Sequence, residues 1–134
     1  MLAAALLLGA RSAAARPPVQ LDIDACVAEP RDEIERLCAV ELDAQTLPPE
    51  AVAPDATRLR VTCREALSEL QVDDPVTGKR SQRLVDLSAV PEGARARLLS
   101  LALAELVAAS WAELEAPPRR VPPAEALAAP SVRR

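Results

Sequence analysis

The residues of this 134-residue chain best equipped for chemistry are three cysteines, Cys26, Cys38 and Cys63, and the chain contains no histidine. Without histidine, Ser–His and Cys–His nucleophilic schemes have no base. A cysteine zinc site needs a fourth ligand and usually close C-x-x-C spacing, and neither is present. Thiol redox catalysis lacks the same motif. The chemistry left to these residues is a structural disulfide with one thiol over. The preferred pair is Cys26–Cys63, which would tie an N-terminal strand–helix unit to the strands that follow. Cys38–Cys63 competes, because both residues fall on inward faces of their elements.

The carboxylates give no sharper site. Asp22 and Asp24 lie on the polar side of an alternating strand, with no glycine turn and no third ligand at calcium-loop spacing. Asp73–Asp74 marks a hairpin end better than an acid/base pair. Val76-Thr77-Gly78-Lys79 resembles part of a phosphate loop. However, Asp73 stands where the first glycine belongs, Arg80 follows the lysine, and strands flank the segment. Arg58, Arg60, Arg64, Lys79, Arg80 and Arg83 suggest a basic patch, but no aromatic group accompanies them for base stacking. The net charge of −4 gives no electrostatic case for nucleic acid or anionic lipid. These residues imply neither an enzyme, nor a cofactor, nor a metal.

The elements that position these groups follow from periodicity. Val19–Ala25 alternates, with Val19, Leu21 and Ile23 on one side. Pro30–Leu42 is a helix, with proline at its start, Asp32 and Glu33 in the first turn, and Ile34, Leu37 and Cys38 on its inner stripe. Asp43–Ala56 is a loop, because Pro48, Pro49 and Pro54 exclude regular structure. Three strands follow. Arg58–Arg64 points Leu59, Val61 and Cys63 inward, Ser68–Asp73 points Leu70 and Val72 inward, and Ser81–Leu87 points Val85 and Leu87 inward. Arg64–Leu67 forms a tight turn, and Asp74–Gly78 a hairpin loop. The outward arginines of the first of these strands can meet Glu69, Gln71 and Asp73 of the second. With one tryptophan and no phenylalanine or tyrosine, the core must be aliphatic.

Pro91–Glu115 is the longest helix, stopped by Pro117 and Pro118. Steps of about 100° per residue place Leu99, Leu103, Leu106, Val107, Trp111 and Leu114 on one face. Leu98 and Leu101 fall opposite, with Glu105, Ala108 and Ala112. Either these are ordinary exposed leucines or residues beneath the C-terminal tail, or they form a seam for a protein partner or a homodimer. The apolar run Leu98–Ala109 is too short for a transmembrane span, and Ser100 and Glu105 interrupt it. The predicted order is β-α-β-β-β-α, an α+β domain over residues 16–115, with two helices on one face of an antiparallel meander.

The termini differ in kind. Met1–Ala15 has an apolar run, Leu2–Ala10, and an A-x-A pattern at Ala13-Ala14-Ala15, the features of a signal peptide cut before Arg16. Residues 116–134 form a Pro/Ala/Arg-rich tail with a disordered composition.

Four runs carry a resemblance: Val72–Lys79, Val85-Asp86-Leu87, Ala94–Leu99 and Ala104–Trp111. Over Leu70–Trp111 the chain resembles uncharacterised exported proteins of myxobacterial-type genomes. The resemblance implies export and architecture, and no activity comes with it. The expectation is an exported periplasmic or envelope protein that binds a protein partner. The alternative is a carrier for a small apolar ligand or lipid.

Overall fold

The computed structural model describes residues 16–115; the signal-like segment 1–15 and the tail 116–134 lie outside the described residues. The elements are β1 (Val19–Ile23), α1 (Arg31–Leu42), β2 (Thr46–Leu47), β3 (Thr57–Arg64), β4 (Leu67–Asp74), β5 (Lys79–Val85) and α2 (Glu92–Glu115). The fold class is α+β, in the predicted element order apart from one added short strand.

The sheet is mixed, with strand order β2-β1-β3-β4-β5. β3, β4 and β5 form the expected antiparallel meander, whereas β1 pairs in parallel with both β2 and β3. The reason is the crossover. A 12-residue helix follows β1 and returns the chain to the end where β1 began, and a strand entered from that end runs parallel to it. The Thr46–Leu47 strand corrects the expectation of an irregular 43–56 loop. It fits just ahead of Pro48, on an edge where the ladder needs little from the prolines that follow.

One layer of apolar side chains lies between sheet and helices. Val19, Leu21, Leu59, Val61, Leu70 and Val72 of the sheet meet Ile34, Cys38 and Leu42 of α1 and Leu99, Leu103, Val107 and Trp111 of α2. Two inward assignments fail. Cys63 is exposed near the end of β3, and Leu114 is 48% exposed in the last turn of α2. α1 ends with Asp43 in the left-handed conformation. Ala44 N–H bonds to the Ala39 carbonyl and Asp43 N–H to that of Val40, a Schellman closure.

The tight β3–β4 turn forms as predicted, with Arg64 paired to Leu67 across Glu65 and Ala66. Glu65 has φ +57°, the left-handed region that a two-residue hairpin favours at its first central position and that glycine enters most easily. Glu65→Gly is therefore expected to raise the unfolding free energy by about 0.5–1 kcal/mol, measured by denaturant titration of Trp111 fluorescence.

Candidate functional site

The cysteines form the first constellation. Cys26 and Cys63 are disulfide-bonded across a sequence separation of 37, with Cα atoms 6.1 Å apart. Asp24 shapes the turn before the bridge by accepting a bond from the Cys26 N–H at 3.0 Å. Cys38 is free and buried. Burial pushes its thiol up to about 11, helped by Glu35 and Glu41 and only partly opposed by Ser100. A thiol in that state is a core side chain and not a nucleophile.

The second constellation was not legible as a site. Asp73 and Asp74 point to opposite sides of β4. Asp73 faces the open side and pairs with Arg80 at 3.4 Å, while Asp74 has no solvent exposure at all. Asp74 Oδ1 accepts from the N–H groups of Val76 and Thr77 at 3.0 and 3.4 Å. Its Oδ2 accepts from the Thr77 and Ser110 hydroxyls, each at 2.7 Å. Burial alone would raise the Asp74 pKa, but these four bonds together hold it below the ordinary carboxylate value. Two N–H groups of the apparent phosphate loop, those of Val76 and Thr77, are thus committed to a carboxylate of the same hairpin. Ser110 is also buried, and its hydroxyl donates to a carboxylate that already accepts three other bonds. The trio is a clasp fastening the β4–β5 hairpin to α2. The D-x-x-T spacing hinted at a local turn, but Ser110 lies 36 residues away and nothing local announces it.

The basic cluster is divided between two faces. Arg58, Arg60, Arg64 and Arg80 lie on the open side of the sheet, and Lys79 and Arg83 on the helix side. On the open side, Arg64 meets Glu69 at 3.7 Å as expected. Arg60 finds its carboxylate on β1 instead, at Asp22, because β1 lies beside β3. A shallow groove of about 550 Å³ between Arg58, Arg60, Gln71, Asp73, Arg80 and Gln82 follows this mixed-charge surface. Across the sheet, Lys79 reaches Glu113 at 3.0 Å and Arg83 reaches Glu105 at 2.8 Å, both on α2. No cluster of three or more metal-ligating side chains occurs among the described residues.

The predicted partner surface maps onto the outward side of α2. Leu98 is 36% exposed, Leu101 is half-buried, and Ala108 and Ala112 are exposed. Glu105 is exposed but occupied by Arg83. No described helix is long and apolar enough to cross a membrane.

Two predictions test these contacts. The Asp74 pKa is lower folded than the unfolded value of about 3.9, so its stabilisation is complete above that value and is lost as pH falls through the folded one. Asp74→Asn should cost about 1–3 kcal/mol at neutral pH. The gap to the unmodified chain should hold down to the unfolded pKa and shrink below it, as read by denaturation at several pH values. Replacing Cys26 and Cys63 together by serine should cost roughly 4 kcal/mol for a loop of this length, measured the same way under oxidising conditions.

Comparison with protein-family models, curated proteins and solved structures finds no match.

Proposed function

We propose that this protein is an exported, non-catalytic protein-interaction module of the periplasm or cell envelope, making contact through the outward face of α2. The observation that carries this reading is that face itself. Leu98, Leu101, Ala108 and Ala112 line the side of α2 away from the sheet, with the exposed carboxylate of Glu105 between them. Exposed alanines allow close approach of a second helix, since interaxial distance is set by the side chains at the contact.

Export has its own support. The Cys26–Cys63 bond belongs to an oxidising compartment. The signal-like Met1–Ala15 and the resemblance to exported proteins point the same way.

The full chain, expressed in an exporting host with a photo-crosslinking residue at position 108, exposed on the same face, should couple to one defined species. The same probe at Val52, 98% exposed in the β2–β3 loop, should not. Leu98→Glu with Leu101→Glu should abolish coupling while leaving the circular dichroism unchanged. Equal coupling from both positions, or coupling that survives the double substitution, would overturn the assignment. The recovered chain should begin at Arg16 with Cys26 and Cys63 linked; an uncleaved, reduced chain in the cytoplasm would refute export.

A further inference from the structure

β5 is one edge of the sheet, and no described element pairs with its outer side. Arg80, Ser81, Gln82, Arg83 and Leu84 are exposed in succession, so both faces of the strand are open as well as its edge. α2 touches β5 but leaves these side chains uncovered. Between them runs a groove of about 270 Å³, floored by Leu106, Ala109 and Ser110 of α2 and by Ser81 of β5. The Arg83–Glu105 and Lys79–Glu113 pairs bracket it at either end.

The chemistry of this edge is one-sided. β5, KRSQRLV, carries three cations and no carboxylate. Its cations are met only by surface pairs, with the α2 carboxylates 68% and 69% exposed. Such pairs contribute about 0–1 kcal/mol, so an incoming carboxylate can displace them or share their cations.

We propose that β5 and the groove beside α2 dock an extended acidic segment of another protein, which adds to the sheet as a sixth strand. Its backbone bonds the free side of β5. On the helix side an aliphatic side chain enters the groove over Leu106 and Ala109 between two carboxylates that meet Lys79 and Arg83, and on the open side a carboxylate meets Arg80. Two other occupants fit worse. The chain's own residues 116–134 hold five prolines, which cannot donate to a ladder, and four arginines against one glutamate. A second copy would bring two sets of three cations onto one ribbon, the usual guard against edge-to-edge pairing.

This surface meets the Leu98–Leu101 strip at Glu105, and the two tests are told apart by their readouts: β5 amide shifts here, coupling from position 108 there. The probe is a six-residue peptide, Glu-Thr-Val-Glu-Glu-Thr, whose first, third and fifth side chains share one face, titrated into the isotopically labelled full chain by NMR. Shifts and slowed amide exchange are expected in β5 and in the α2 flank around Ala109. Ala109→Glu, on an exposed helix position, should weaken binding by about tenfold or more, and so should raised salt. The same peptide with lysine in place of each glutamate should not bind. Failure of the acidic peptide to bind, equal binding by the basic one, or shifts confined to the open face around Arg58 and Arg60 would each overturn the proposal. So would β5 shifts that depend on protein concentration without peptide, which would assign the edge to a second copy.

Discussion

The structure depends on one apolar contact, the stripe along α2 that lies on the sheet. Leu99, Leu103, Val107 and Trp111 are nearly inaccessible there, with Ala96 and Leu106 at its margins. Burying a large aliphatic side chain contributes about 1.5–3 kcal/mol, so these few residues outweigh all the ion pairs on the surface. The stripe sets where α2 lies, and the polar groups adapt to it. Where the stripe ends, the character of the protein changes. β5 is left uncovered, its cations reach up to glutamates of α2, and a groove opens between strand and helix.

Polar groups enter this interior only when they close a gap the aliphatic chains cannot. Trp111 Nε1 donates to Thr57 Oγ1 at 3.0 Å, joining the last turns of α2 to the start of β3. Ser100 Oγ donates to the Ala96 carbonyl at 2.8 Å and lies 3.4 Å from that of Ile34, linking α2 to α1. Asp74 secures the β4–β5 hairpin. Gln20, on the open side, holds the Pro48–Ala51 loop by placing its amide nitrogen 2.8–3.0 Å from three carbonyls. No buried side-chain nitrogen or oxygen among the described residues lacks a partner, as burial without compensation requires. A serine and an aspartate in contact therefore serve here as a fastening, because desolvation and saturation remove the reactivity their pairing suggests.

Surfaces that fold the protein differ in their pairing from surfaces left over. The open side of the sheet alternates its charges and largely neutralises them. The outward strip of α2 and the edge of β5 have no such internal explanation. One is apolar apart from Glu105 and faces away from the core, and the other is cationic with unpaired backbone.

Periodicity, with proline, glycine and acidic residues at the element ends, determined the two helices, four of the five strands, the two hairpin turns and most of the core stripe. These are local properties, fixed by which side chains recur every 2 or 3.6 residues. The Cys26–Cys63 pairing was open to a competitor until β1 was placed, because pairing depends on which strand ends meet. Tertiary structure decided the parallel insertion of β1 and the extra strand at Thr46–Leu47. It also decided the partner of Arg60, the division of the basic cluster between two faces, and the meeting of Asp74 with Ser110. Each joins residues far apart in the chain, and such contacts are selected by the packing of whole elements against one another. No local signal carries that information.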